Sequence, residues 1–146
     1  MGRALDSHLN DESGFTLVEL LIVMLVLGLL AAIAIPAFLS QRDKARDAEA
    51  KAAVRTAQTA SEVIAVENDG AYDGANGVTV ANVRVIEPTL NDANLSVPAV
   101  AADTFTVRVT SGTGNRFEVA RAADGSTTFS CMTAGGGGCP ADGFWN

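Results

Sequence analysis

A long apolar stretch near the N-terminus constrains this chain more than any other feature. From Phe15 onward the residues read FTLVELLIVMLVLGLLAAIAIPAFL, and nearly all of them are apolar. A helix that crosses a bilayer needs about 20 such residues. In a soluble protein this helix would have to be covered on all sides, and a chain of 146 residues has too little left to do so. The stretch therefore predicts a helix that lies in a membrane or in an equally apolar environment.

Three residues interrupt this stretch. Glu19 places a carboxylate near its start, where the cost of about 2.5–3.5 kcal/mol at the centre of a membrane helix is reduced by the nearby bilayer edge. Gly28 weakens a helix by about 1 kcal/mol, and Pro36 removes an amide donor and clashes with the preceding turn. The residues are compatible with a signal sequence cut after Ala34, with a plain single-pass anchor, and with a short leader removed in front of a retained helix.

Residues 40–69 predict an amphipathic continuation of the helix. They are rich in Ala, Arg, Lys, Glu and Gln, which favour helices. Asp47 and Lys51 stand four residues apart in the order that favours an ion pair. The stop signal is Asn68-Asp69-Gly70, so we predict one helix from about Phe15 to about Asn68. The small apolar residues expected to face a core are Ala45, Ala48, Ala52, Val54, Ala57, Ala60 and Ile64.

Residues 70–146 predict a small β-rich head. We expect a loop at AYDGANG, a strand or strand pair at VTVANVRVI, and mostly loop at EPTLNDANLSVPAVAAD. Three later runs, TFTVRVTS, RFEVARA and STTFSCM, alternate apolar and polar residues and are separated by turn signals, which is typical of an antiparallel meander. The predicted fold class is α+β. A long N-terminal helix, with a transmembrane first half over 15–39, packs against a small C-terminal antiparallel sheet.

The segment GFTLVELLIVMLVLGLLAAIAIP resembles the N-terminal signal of type IV pilins and pseudopilins. The resemblance is close over roughly residues 12–60 and beyond them extends only to the layout. It implies a leader, residues 1–14, that a prepilin peptidase removes between Gly14 and Phe15, and methylation of the new N-terminus at Phe15. It also implies that Glu19 of one subunit pairs with the terminal amine of a neighbour, and that the helix between Gly28 and Pro36 loosens in the filament.

The basic residues near the apolar stretch conflict with a location of the C-terminal head outside the cytoplasm. Arg3 precedes the stretch, whereas Arg42, Lys44 and Arg46 follow it. The positive-inside rule alone would place the C-terminal head in the cytoplasm. The cleavage motif and the cysteine pair both indicate the opposite, so we expect the head outside the cytoplasmic membrane.

The two cysteines, Cys131 and Cys139, enclose the short segment MTAGGGG. The arrangement resembles the C-terminal disulfide loop of many type IV pilins, and a disulfide suits a domain outside the cytoplasm. Two cysteines without a histidine in the mature chain are too few ligands for a zinc site. Free thiols are the alternative. Phe144 and Trp145, which follow, are expected to pin the tail to the head.

The composition argues against an enzyme. The single histidine, His8, lies in the predicted leader, so the mature chain would lack histidine-based triads and general bases. The segment ENDGAYDG does not match the spacing of a calcium loop. We predict no catalytic residue, no metal and no cofactor. The net charge of -7 argues against nucleic acid as a direct partner, because phosphates attract basic patches.

The predicted function is that of a structural subunit of a type IV pilus, held in the cytoplasmic membrane before assembly and displayed on the cell surface afterwards. The expected partners are identical subunits, the prepilin peptidase, an inner-membrane assembly platform and membrane lipid. A pseudopilin of a type II secretion or DNA-uptake system is the alternative within the family. A membrane-tethered binding domain that never polymerises is the alternative outside it. The charges between Arg42 and Arg55 form either a solvated helix face or contacts between subunits.

Overall fold

The chain divides into two compact units, which are described separately. The computed structural model describes residues 14–145, so the predicted leader lies outside the described residues except for Gly14. The first unit ends at Ala37 and the second begins at Phe38. The elements, in chain order, are α1 (Leu17–Glu67), α2 (Val80–Ile86), a 3₁₀ turn (Pro88–Leu90), β1 (Leu95–Ala101), β2 (Thr104–Thr110), β3 (Arg116–Arg121) and β4 (Thr127–Met132). The predicted α+β class, with a long helix and a small antiparallel sheet, is confirmed.

The C-terminal end of α1 follows the predicted stop signal. The N–H of Gly70 donates to the carbonyl of Ala65 over 2.8 Å. Asp69 has a φ of 53°, a left-handed conformation that allows the chain to turn back over the last helical turn. The loop that follows is held by Tyr72, whose hydroxyl donates to Glu62 Oε2 at 2.6 Å.

The core-facing side of α1 differs from the prediction at its beginning. Val54, Ala57, Ala60 and Ile64 are buried, as predicted. The three earlier alanines, Ala45, Ala48 and Ala52, are exposed. Their place on the inward face is taken by Asp47 and Ala50, which are both buried. The sequence pattern favoured alanines because aspartate is almost never fully buried unless it is paired, and the partners of Asp47 come from distant segments.

The four strands form an antiparallel sheet in the order β1-β2-β3-β4. Along β2 every second side chain is buried, and the corresponding face of β3 buries Phe117 and Val119. These residues and the buried residues of α1 form one hydrophobic core. The meander predicted from three alternating runs is therefore present as β2, β3 and β4.

The strand predicted at residues 78–86 is wrong, because this segment contains α2. Thr79 caps the helix, and its side chain accepts a hydrogen bond from the N–H of Asn82 at 3.1 Å. Val83 is fully buried, with Val80 and Ile86 three residues to either side packed against the core, whereas Val85 is exposed. The spacing of three and the Thr79 cap outweigh the β-propensity of the valines.

The prediction of mostly loop between α2 and β2 is also wrong, because this segment supplies β1. Its pairing with β2 shifts register between Ser96 and Ala99, on either side of Pro98. The proline and the irregularity hide the alternation that identifies a strand in a sequence.

Neither edge of the sheet is a regular, uncovered strand. On one side, β1 is an edge strand that contains Pro98 and the register shift. On the other side, the tail runs along β4, where the N–H of Cys131 donates to the carbonyl of Gly143 over 2.8 Å. Trp145 is buried, as predicted, whereas the side chain of Phe144 is 53% exposed and this residue attaches the tail through its backbone bridge to Ser130.

Candidate functional site

The apolar part of α1 exposes its whole surface. All residues from 14 to 45 are exposed, including Phe15 at 78% and Met24 at 71%. By length and composition this part of the helix can cross a membrane. An apolar surface of this size marks a site of contact with lipid or with protein.

A capping box starts α1 at the residue after Phe15. The N–H and the hydroxyl of Thr16 both donate to Glu19 Oε2, at 2.9 and 2.8 Å, and the N–H of Glu19 donates back to the Thr16 hydroxyl at 3.2 Å. The two side chains thus satisfy N–H groups that have no partner within the helix. The sequence analysis did not identify Thr16, although the T-x-x-E spacing before an apolar run is the signal for this motif.

The other predicted residues of this segment have open surroundings. Gly14 and Phe15 precede the helix and are exposed. The helix continues through Gly28 and through Pro36. A Cβ atom at Gly14 or Gly28 would meet nothing within 4 Å. Glycine is therefore not required at these positions by contacts within the described chain.

In the head, the predicted disulfide joins Cys131 and Cys139, whose Cα atoms are 5.8 Å apart. The glycine-rich loop that it closes lies against α1. The carboxylate of Asp47 accepts the N–H of Gly138 at 2.7 Å. A Cβ atom at Gly138 would come within 2.7 Å of the Cβ of Asp47, so this position has no room for a larger residue. The sequence pairs Asp47 with Lys51 and does not indicate this role, because the partners of Asp47 follow it by more than 60 residues.

Asp47 has two further donors. Its Oδ1 accepts from the Thr113 hydroxyl at 2.5 Å, and its Oδ2 accepts from Asn115 Nδ2 at 2.7 Å. Burial by itself would raise the pKa of Asp47, but the hydrogen bonds from Ser111, Thr113, Gly138 and Asn115 together hold that pKa below its usual value. The carboxylate therefore remains ionised inside the head. We call this group of residues the Asp47 cluster.

Lys51 extends the attachment of the loop by one helical turn. Its Nζ donates to the carbonyl of Gly138 at 2.6 Å and lies 5.6 Å from the centre of the Trp145 ring. The predicted ion pair between Asp47 and Lys51 is absent from the described residues, because both side chains bind the backbone of the same loop residue. Trp145 Nε1 donates to the carbonyl of Ser130 at 2.7 Å. Helix α1, the glycine-rich loop and the C-terminal tail are therefore in contact around Lys51.

Comparisons with known proteins agree with the predicted resemblance. The prokaryotic N-terminal methylation motif matches residues 9–35. The chain is 41% identical to the type IV major pilin protein PilA of Myxococcus xanthus over 79 residues, which are 53% of this chain and 36% of that one. It is 35% identical to the type II secretion system core protein G of Pseudomonas aeruginosa over 59 residues, 40% of this chain and 42% of that one.

A further relative is matched over most of its length. This is the type IV narrow pilus major component PilA5 of Thermus thermophilus, which is 31% identical over 105 residues, 64% of this chain and 84% of that one. In PilA and core protein G, by contrast, the chain spans less than half of the relative's length. No solved structure matches the chain.

The names of these relatives describe pilus and secretion-system components, and none describes an enzyme. The methylation motif, over residues 9–35, includes the capping box and most of the exposed apolar segment. The long match to PilA5 continues into the head. The chain therefore belongs to the type IV pilin and pseudopilin family.

Proposed function

We propose that this protein is a structural subunit of a type IV pilus and that it has no catalytic activity. The observation that carries the proposal is the complete exposure of the largely apolar residues 17–39 at the start of α1. A soluble monomer would have to keep this apolar surface in water, at a cost of roughly 25 cal/mol for each Å² of apolar surface. Lipid before assembly and the same segment of neighbouring copies after assembly would both cover it.

The decisive experiment is to shear cells and to analyse the released material by immunoblot and electron microscopy. We expect long filaments that contain this chain. A sheared fraction that lacks the chain, together with full retention in the membrane, would contradict the pilus function and favour a membrane-tethered domain.

Processing at the Gly14–Phe15 bond is part of the proposal. Both residues precede the helix and are exposed, so a peptidase could reach the bond between them. Mass analysis of the mature N-terminus should give methylated Phe15. Gly14→Val should leave the precursor uncut, because the family resemblance implies that the peptidase accepts only a small residue there, although the described residues leave room for the valine side chain. A mature protein that begins after Ala34 would contradict this route.

Glu19 is proposed to pair with the terminal amine of a neighbouring subunit. Glu19→Ala should enter the membrane and be processed normally, since a charge has been removed from an apolar segment. Filaments should be lost, because an amine buried without a counter-charge is costly at every subunit. Glu19→Asp should give an intermediate yield. Asp92→Ala, which removes an exposed carboxylate of the head, is the control and should assemble normally.

The proposed location is the cytoplasmic membrane before assembly, with the head outside, and the cell-surface pilus afterwards. The disulfide supports this orientation, because disulfides persist in oxidising compartments. The proposed partners are identical subunits, the prepilin peptidase, an inner-membrane assembly platform and membrane lipid. Alkylation of both cysteines in intact native protein would contradict an external head.

The second candidate is a pseudopilin, which the match to the type II secretion system core protein G favours. The two candidates differ in the shearing experiment. A pilus subunit is released from sheared cells in long surface filaments, and deletion of its gene removes these filaments. Deletion of a pseudopilin gene abolishes secretion and leaves the sheared fraction unchanged.

A further inference from the structure

A groove beside the tail combines positive charge with unburied apolar surface. It has a volume of about 600 Å³. We call it the tail groove. Among the residues that line it are Ala48, Lys51, Ala52 and Arg55 of α1, and Asp142 and Phe144 of the tail.

Three apolar residues of the tail groove, Ala48, Ala52 and Phe144, are not used by the core of the head, although Trp145, which also lines the groove, is. Ala48 and Ala52 were predicted to face that core and are exposed instead. Phe144 is 53% exposed even though the neighbouring Trp145 is buried. These residues form an apolar floor that is open to solvent, and such a patch is typical of a contact surface.

The cations of the tail groove are held in place by aromatic rings. The guanidinium of Arg55 lies 5.2 Å from the centre of the Trp145 ring and 5.3 Å from that of Phe129. Lys51 is fixed by its bond to the carbonyl of Gly138. Asp142 is the one carboxylate among the lining residues, and it accepts the N–H of Phe144 at 3.1 Å. The two positive charges of Lys51 and Arg55 therefore outnumber the single negative charge of Asp142 in the tail groove.

The C-terminal end of α1 exposes negative charge beside an apolar side chain, which is complementary to the positive and apolar surface of the tail groove. Val66 is 82% exposed, and the three carboxylates that follow it, Glu67, Asp69 and Asp73, are all exposed. We call residues 66–73 the acidic helix end. Val66 lies eleven residues beyond Arg55, or roughly 16 Å along the helix axis. The acidic helix end and the tail groove are therefore separate surfaces of one head.

We propose that the tail groove of one copy binds the acidic helix end of a second copy. Val66 would cover the alanines and Phe144, while Glu67 and its neighbours would face Lys51 and Arg55. A contact between two different surfaces repeats from copy to copy, and it builds an open helical filament wherever the rotation between copies does not close a ring. The inference rests on the proposed pilus function and names the contact between the heads.

Cross-linking tests the contact in assembled filaments. In the variant Ala52→Cys/Val66→Cys, a mild copper–phenanthroline oxidant should join the new thiols of adjacent copies. A non-reducing gel should then show a ladder of dimers, trimers and longer products. Each single variant should give no such ladder. The control Ala52→Cys/Asn91→Cys, which replaces another exposed residue outside the acidic helix end, should behave like the single variants.

Charge reversal provides an independent test that does not depend on the new cysteines. Arg55→Glu should lower the yield of sheared filaments about tenfold, because like charges would then face each other at every contact. Arg55→Glu/Glu67→Arg should restore the yield. Arg116→Glu, an exposed reversal outside the groove, should leave it unchanged.

The outcomes separate the two proposals. Absence of filaments from the unaltered chain refutes the pilus function and this contact with it. Filaments without a ladder, or with an equal ladder in the control, refute the contact alone. If the cysteine variants form no filaments, the charge reversals decide. An undiminished yield in Arg55→Glu, or no recovery in the double reversal, refutes the contact.

Discussion

Replacement of Asp47 tests how the head holds its C-terminal loop. Its carboxylate is fully buried and accepts hydrogen bonds from Thr113, Asn115 and Gly138. Asp47→Ala removes the common acceptor and leaves three donors from distant segments without it. Because the bond from Lys51 to Gly138 would then be the one remaining hydrogen bond between α1 and the loop among the described residues, we expect this substitution to be among the most destabilising in the head.

The magnitude follows from the number of bonds. A hydrogen bond to a charged group contributes about 1.5–3 kcal/mol, and removal of the shared acceptor affects three donors. The summed loss from the three hydrogen bonds is reduced because water can reach part of the loop and bind the freed donors. It is reduced further because alanine favours the helix by about 0.5 kcal/mol. We expect Asp47→Ala to lower the free energy of unfolding by about 3–4 kcal/mol, and Asp47→Asn, which keeps the shape, by about 1–2 kcal/mol.

The assay uses the single tryptophan of the chain, Trp145, which is buried beside the loop. Its fluorescence reports urea unfolding of the full chain in detergent micelles. Glu49→Ala removes an exposed carboxylate from the same helix and is the control. If Asp47→Ala unfolds within about 0.5 kcal/mol of the unaltered chain, the cluster does not hold the loop.

The Asp47 cluster predicts that the stability of the head depends on pH. The pKa of Asp47 is lower in the folded head than the value of about 3.9 expected for the unfolded chain. The stabilisation by this group is therefore fully present above about pH 4 and is lost as the pH falls through the lowered folded pKa. The difference in stability between the unaltered chain and Asp47→Asn should shrink over that range. A difference that is constant with pH would contradict the ionised state of Asp47.

Three further substitutions probe the head. Cys131→Ser should lower the free energy of unfolding by roughly 2–3 kcal/mol, measured with the same fluorescence assay with and without reductant. Gly138→Ala should destabilise the head by at least about 1 kcal/mol through overlap with Asp47, whereas equal stability would show that the loop shifts freely. Tyr72→Phe should cost about 1 kcal/mol through loss of the bond to Glu62. Burial and that bond raise the pKa of Tyr72 to about 12, so its contribution should be present below pH 10 and lost as the pH rises towards 12, as alkaline unfolding curves would show.

The sequence predicted those features whose cause is local. The apolar stretch, the helix stop at Asn68-Asp69-Gly70 and the three alternating strands each depend on residues within a few positions of one another. The family resemblance depends on a short motif as well. For this reason the fold class and the bounds of α1 were predicted close to the observed ones.

The features that the sequence analysis missed depend on contacts between distant residues. Asp47 reads as a solvated charge until Thr113 and Asn115 are known to surround it. Lys51 was assigned to Asp47 by spacing, whereas its partner is the carbonyl of Gly138. The valines around Val83 have strand propensity, and only the cap at Thr79 and the packing against the core make them helical.

The modified edges of the sheet have a consequence for the proposed filament, in which each head would be crowded against its own copies. An unprotected edge strand pairs readily with another edge, and in a filament every head has identical edges close by. Here Pro98 and the register shift interrupt β1 at one edge, and the tail beyond Gly143 occupies the other. Growth by strand addition, the route to amyloid, is therefore obstructed on both sides. In the proposed filament the heads would therefore pack at high density without fusing into a continuous sheet.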